Sequence, residues 1–538
     1  MLSLVKTVRG QRSALTLALA GAFTFVAMMN CAVAEPEIRT PKPPATPRIN
    51  GPGVFGVRPG HPFLYRIPAT GERPLEFAVD DLPAGLKVDS ANGQITGSLA
   101  KPGEHVVTLR AKNAKGGDAK KFKIVVGETI ALTPPLGWNS WNCWGPMVDA
   151  EKVRQSARAM VESGLINHGW TYINIDDAWQ APERGGPFNA IQGNEKFPDM
   201  KGLCDEVHGL GLKIGIYSTP WATSYAGYIG GSSDDPNGAW TKGEGRHTGK
   251  ISFAGNDAKQ WAAWGIDYMK YDWNPKSSNP RESLEEFHGK VATMSGALRK
   301  SGRDILFSYS NSMPFEWINE VASLLNCWRT TGDIHDQWWS IVNIGFSQNR
   351  WAKASAPGHW NDPDMLVVGY VDVGKGRNLH PSRLTPDEQY THITLWSLLA
   401  SPLLIGCDMT RLDDFTVNLL CNDEVIAVNQ DALGKQATLV SALGDEITVK
   451  RPGRDQTREV TPLQVWARPL EDGSLAVGLF NLGDEPAKVT AKWSDLNISG
   501  KQRVRDVWRQ KHLGEFDGEF ALTVPPHGAE MVRVIPLR

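Results

Sequence analysis

The stretch YINIDDAWQ, residues Tyr172–Gln180, begins as a strand and ends on two adjacent acids, Asp176 and Asp177. One aspartate at that point would cap a helix. Two repel each other, so other groups must hold them. The sequence on either side repeats the design. KIGIYS, DYMKYD, ILFSYS, CWRTTGD and PLLIGCD are short, largely apolar runs that also close on polar or charged residues, and LGWNSW and HWNDPDML bring the strand candidates to eight. Between them lie stretches such as DAEKVRQSARAMVESGL and ESLEEFHGKVATMSGALRKSG, which have helical periodicity and a glycine stop. Strand-then-helix repetition of this length predicts an α/β fold, a (β/α)8 TIM barrel, over residues 128–437. A doubly wound open sheet is the competing arrangement, but no GxGxxG follows a first strand.

The flanks read differently. Val107, Leu109 and Ala111 alternate with Thr108, Arg110 and Lys112, and Phe122, Ile124 and Val126 repeat the pattern. Period-two strands punctuated by Gly and Pro predict a small β-sandwich over residues 51–127. After Gln430 the helices stop. Leu463, Val465 and Ala467 alternate with polar neighbours, and Asp472-Gly473 signals a hairpin. Residues 438–538 are therefore expected to form a C-terminal antiparallel β-sandwich. Residues 35–50 are proline-rich and read as a stiff linker rather than core. Residues 1–34 read as a signal peptide: Lys6, Arg9 and Arg12 precede an apolar run, and Ala32-Val33-Ala34 offers a cleavage site. The run is shorter than a comfortable bilayer span, so export to the periplasm or beyond is expected, with no membrane attachment after cleavage.

A net charge of −2 over 538 residues gives no whole-molecule attraction to nucleic acid or anionic lipid. Cleavage would remove Cys31 and leave Cys143, Cys204, Cys327, Cys407 and Cys421. These form no CxxC pair and read as buried thiols. Tryptophan is abundant, which suits a core and also suits stacking on sugar faces.

In a (β/α)8 barrel, chemistry sits at the C-terminal ends of the strands. Those ends carry Trp141, Asp176, Asp177, Tyr217, Lys270, Asp272, Ser310, Arg329, Asp333 and Asp364. Any one of them could be a cap or a rim ion pair, but no structural need gathers so many charges on one face. A Mg²⁺ or Ca²⁺ site is one reading of the acids. However, Lys270 and Arg329 would repel a cation, and no EF-type loop or HExxH occurs. No metal or cofactor is expected. Glycoside hydrolysis accounts for the set better, since it needs a pair of carboxyl groups plus further groups that read sugar hydroxyls. Aromatic walls such as Trp141, Tyr217 and Trp221 fit the same use.

TPPLGWNSWN, NIDDAWQ, KIGIYS, GIDYMKYDWN, WRTTGDI, GHWNDPDMLVVG, SPLLIGCDM and VIAVNQDALGKQA, in this order over roughly residues 130–440, closely resemble glycoside hydrolase family 27, the α-galactosidase family. The N-terminal β module resembles the small immunoglobulin-like domain that precedes this barrel in some bacterial members. The resemblance implies a retaining double displacement. Asp272 would be the nucleophile, ionised beside Lys270, and Asp333 the acid/base with a raised pKa. It implies that Asp176 and Asp177 read the 4- and 6-hydroxyls and Lys270 the 3- and 4-hydroxyls. Arg329 and Asp364 would lie near the 2-hydroxyl, with Trp141 and Tyr217 as pocket walls. The implied partner is an α-galactoside oligosaccharide or polysaccharide.

The chain departs from the family pattern in two places. FSYSNSMPFEW replaces a Cys-Glu-Trp loop, putting Ser310 where a glutamate is expected near sugar C2, which leaves room for a 2-acetamido group. Trp273-Asn274 follow Asp272 where a cysteine is frequent. An α-N-acetylgalactosaminidase is thus the alternative activity, followed by isomalto-type or β-L-arabinopyranoside hydrolysis. A non-catalytic sugar-binding barrel would be expected to have lost an acid, and none is lost.

Overall fold

The structure is a computed structural model that describes residues 36–537, Lys375 excepted. The predicted signal segment lies outside the described residues. The eight strand candidates form one sheet: β1 (Leu136–Asn139), β2 (Tyr172–Asn174), β3 (Lys213–Ser218), β4 (Tyr268–Asp272), β5 (Leu306–Ser310), β6 (Cys327–Arg329), β7 (Trp360–Asp362) and β8 (Leu403–Ile405). Each neighbouring pair is parallel, and β8 lies beside β1. Closure comes just beyond β7, where Leu366 bridges Ile405 in parallel and its N–H donates to the Leu404 carbonyl at 2.8 Å. The sheet is a barrel, as the alternation predicts.

Strand periodicity decides what fills it. Along β4, Met269 and Tyr271 face the helices and join the large outer core with Ile173, Ile214, Ile216 and Phe307. The alternate residues point inward. At the floor these are apolar: Tyr268, Leu306, Cys327, Trp360 and Leu404 cluster with Tyr172. One step up come Asn174, Tyr217, Lys270, Ser308, Arg329 and Asp362, and above them Asp176, Asp272 and Ser310. Register aligns the tiers, pairing Lys270 with Tyr217 and Ser308, and Asp272 with Ser310. Gly215 has no side chain because a Cβ there would come within 2.1 Å of Asn174 Oδ1.

Helix starts follow local chemistry. Asp149 accepts from the Lys152 N–H at the head of Ala150–Glu162. Thr385 and Glu388 form a reciprocal cap on Pro386–Leu398.

The N-terminal module packs a four-stranded sheet on a three-stranded one around Phe63, Ile95, Leu109, Phe122 and Ile124. The C-terminal region is a six-stranded antiparallel sheet with a two-stranded companion, Ala487–Lys492 with Glu519–Val524. Its core holds Val465, Val477, Leu479, Trp493 and Phe520. Cys143, Cys204, Cys327 and Cys407 are buried and Cys421 half-buried, all as free thiols.

The proline-rich stretch differs from the expected spacer. Pro41–Thr46 is exposed, but both ends are anchored. Arg39 is 6% exposed, pairs with Asp387 at 2.8 Å and Glu530 at 3.5 Å, and lies 4.1 Å over the Tyr390 ring. At the other end Arg48–Ile49 pairs with Ala69–Thr70. Composition reports stiffness here and not the arginine's partners, which lie some 350 and 490 positions away in the chain. Replacing Arg39 with Met should lower stability by about 1–3 kcal/mol, because it removes one of two cations from buried Glu530 and the partner of part-exposed Asp387. Urea unfolding measures this, and an unmoved midpoint would mean that the segment is a passenger.

Candidate active site

The acids of the opening stretch are held by different partners. Asp176 Oδ2 accepts from Lys270 Nζ at 2.8 Å and from Asn139 Nδ2 at 2.9 Å. Asp176 Oδ1 accepts from the Asp177 N–H. Asp177 turns to the loop after β3. Its Oδ1 accepts from Ser224 Oγ, Gln180 Nε2 and the Ala178 N–H, and its Oδ2 from the Ala226 N–H. Burial still raises the Asp177 pKa beyond what those hydrogen bonds reverse. The adjacent carboxylates are therefore stabilised separately, one by a cation and one by backbone and hydroxyl donors.

Asp272 stands at the end of β4, half-buried in the mouth. Its Oδ1 accepts from Asn311 Nδ2 at 2.7 Å, and Tyr217 donates to Oδ2 over a longer 3.3 Å. Burial drives its pKa up; Lys270 opposes this, while Asp176 and Asp333 add to it, and the result is about 7. That corrects the expectation of a firmly ionised Asp272: removal from water outweighs the single neighbouring ammonium.

Asp333 is corrected in the opposite sense. Partial desolvation raises it, but the charge of Arg329, then Lys270, and the Arg329 hydrogen bond at 3.2 Å hold it below the ordinary carboxylate value. Its side chain is 82% exposed at the rim, whereas Arg329 is buried. Arg329 also pairs with Asp364 at 3.0 Å, and Asp364 Oδ2 accepts from the Ile334 N–H at 2.8 Å. Asp364 thereby fixes the backbone beside Asp333. It does so with φ of 85°, a left-handed conformation that a non-glycine residue adopts at a cost.

Trp141 sits in a single helical turn after β1, half-buried, with its N–H donating to Asn139 Oδ1. Trp221 is buried and meets Tyr225 edge-on at 5.1 Å, so it backs that rim residue. Ser310 is buried beside Asp272, but the residue whose side chain reaches that acid is Asn311. The structure thus brings all ten sequence-read residues to one end of the barrel.

Several neighbours went unread. Asn139 closes β1, Asn311 follows β5 by one residue and Asn274 follows β4 by two, and strand-end polarity could have exposed them. Ser224 and Tyr225 lie in an aperiodic loop and become visible only in three dimensions. Among the described residues, Asp234, Glu244 and His247 form one cluster of possible ligands on the surface, and it contains none of the site residues.

The folded-state pKa of Asp272 lies above its unfolded value. Its stability contribution is therefore intact below about pH 4 and lost as pH rises through about 7. Asp272→Asn should stabilise the protein at pH 8 by up to roughly 4 kcal/mol and hardly at all at pH 4. Thermal melts at the two pH values test this. Equal effects at both would refute the raised pKa.

Comparison with known proteins adds to this geometry. Residues 133–431 match the family described as alpha galactosidase A, residues 460–534 an alpha galactosidase C-terminal beta sandwich domain, and residues 46–127 an Ig domain family. Alpha-galactosidase 2 of Arabidopsis thaliana is 37% identical over 431 residues, covering 79% of this chain and 95% of the relative. Alpha-galactosidase I of Mortierella vinacea superposes with a TM-score of 0.62 at 31% identity, covering 75% of this chain and 97% of that one. A candidate α-galactosidase structure from Bacteroides fragilis reaches 0.78 at 31% identity, covering 93% and 99%.

Proposed function

This chain is a glycoside hydrolase of the α-galactosidase family, and from that premise we propose that it is an exported, exo-acting, retaining enzyme that releases terminal α-D-galactosyl residues. The observation that carries the reading is the single mouth around Lys270 and Arg329 in which Asp272 and Asp333 lie within electrostatic reach of each other. The blind lower tier of the barrel supports terminal attack. Below the acids the interior is packed with Tyr268, Leu306 and Trp360, so a sugar enters from one side only.

In the first step Asp272 attacks the anomeric carbon while the glycosidic C–O bond breaks and Asp333 protonates the departing oxygen. In the second, water attacks the same carbon, Asp333 takes its proton, and the bond to Asp272 breaks. Two inversions return the original anomer. Asp176, held by Lys270 and Asn139, presents its remaining lone pairs to the sugar's 4- and 6-hydroxyl side. A gluco-configured ring would leave that buried acceptor without its partner, which discriminates against it. Arg329 both binds near the 2-hydroxyl and keeps Asp333 poised at the rim.

The active form of the acid pair carries one proton. Because neighbouring carboxyls titrate together, the rate reports the pair and not either acid alone. kcat/KM should therefore fall above about pH 7, where the pair loses its last proton. The acid limb should lie below the ordinary carboxylate value, as Asp333 is lowered. Export rests on the N-terminal charge and apolar pattern, and cell fractionation tests it.

The activity test is steady-state hydrolysis of p-nitrophenyl α-galactopyranoside beside the corresponding α-N-acetylgalactosaminide. The first should turn over, and Asp272→Asn should reduce it by at least about 10⁴-fold. NMR of the nascent sugar should show α-galactose first. Turnover of the second substrate alone would favour the acetamido reading that Ser310 motivates, and β-galactose first would overturn retention.

A further inference from the structure

The amide of Asn311 is the best-oriented group around Asp272, and it belongs to the loop where this chain departs from its family's pattern. A carboxylate only accepts, so Nδ2 must face Asp272 Oδ1, at 2.7 Å. The other end of the amide agrees: Asn311 Oδ1 accepts from Asn274 Nδ2 at 2.9 Å. Asn274 Oδ1 in turn lies 3.2 Å from the Tyr309 hydroxyl, and Tyr225 OH lies within 3.2 Å of Asn311 Nδ2. The Asn311 side chain is thus fixed at both ends, by Asn274 on the strand end that carries Asp272 and by a tyrosine from the loop after β3. Asp272 itself is held unevenly, tightly at Oδ1 and loosely at Oδ2.

We infer that Asn311 is a positioning residue that clamps Asp272 through Oδ1 and so assigns Oδ2 as the attacking oxygen. This rests on the glycosidase reading above. In the first step the Oδ2–C1 bond forms, the C1–O bond to the leaving group breaks, and the leaving oxygen takes the Asp333 proton. Oδ1 becomes the carbonyl oxygen of the glycosyl ester and keeps its Asn311 N–H. When water attacks C1, the C1–Oδ2 bond breaks and its electron pair returns to the carboxylate. The N–H is then already in place for the charge that reappears. Asn274, which follows Asp272 by two residues, orients the clamp.

Charged and titratable groups facing Asp272 come from several elements: Lys270 on its own strand, Asp176 after β2, Arg329 and Asp333 from β6 and beyond, and Tyr217 and Tyr225. Substituting Asn311 leaves all of these in place, and only Tyr225 loses a hydrogen bond with it. A hydrogen bond to the ionised acid favours ionisation, so its loss raises the pKa.

The test compares wild type with Asn311→Ala, the isosteric Asn311→Asp, and Asn274→Ala on p-nitrophenyl α-galactopyranoside. Full pH profiles are recorded, and thermal melts confirm folding. Both Asn311 variants should lose about 10–100-fold in kcat with KM within about threefold. Their alkaline limb in kcat/KM should move up by about half a unit to one unit, further for the aspartate. Asn274→Ala should shift the limb in the same direction by less. A fall in kcat with an unmoved limb would reduce Asn311 to a packing role, and variants with wild-type rates would remove it altogether. Absence of turnover in wild type would instead overturn the underlying activity, so the two failures are distinguishable.

Discussion

The ion pair between Lys270 and Asp176 is the interaction on which the rest of the site depends. It joins the ends of two barrel strands with β3 between them, at 2.8 Å, and Asp176 is only 2% exposed. Neither charge could stay inside the barrel alone, because desolvation of one unpaired ion costs several kcal/mol. Paired, they leave Lys270 close enough to moderate Asp272, and they leave Asp176 with free acceptors toward the opening. The second ion cluster, Arg329 with Asp333 and Asp364, repeats the arrangement across the mouth. Together they hold three carboxylates, Asp176, Asp333 and Asp364, and set two cations near Asp272.

What permits such charge density is the tiering of the barrel interior. Each strand contributes alternate residues inward, and the apolar members fall at the floor while the polar ones rise toward the C-terminal ends. The apolar floor closes the interior below the charged tier. The loop after β3 closes one side by engaging Asp177 through Ser224 and Ala226. It also carries Tyr225 to the edge of Asp272. Asp177, which the family resemblance implies as a reader of sugar hydroxyls, is thus the anchor of a rim loop.

Much of this was legible in sequence. The eight strands and the inward acids follow from period-two alternation and from where each run stops. The resemblance across motifs supplied the roles proposed for Asp272 and Asp333. The protonation states were not legible, and the expectation for each acid reversed. Adjacent residues such as Lys270 and Asp272 can be read as an ion pair along the chain, but burial, which raised Asp272, is a property of the closed barrel. Likewise Arg329 stands four positions before Asp333 in the sequence, and only the folded turn brings its guanidinium to the carboxylate.

The sequence by itself determined the barrel, its flanking β modules and the face on which the acids collect, because side-chain periodicity and strand-end chemistry are local and survive without knowledge of contacts. The tertiary structure decided which acid is charged, that Asn311 and not Ser310 meets Asp272, and that the proline-rich segment is anchored through Arg39. Those outcomes depend on desolvation and on partners far apart in the chain, and both exist only once the chain has closed on itself.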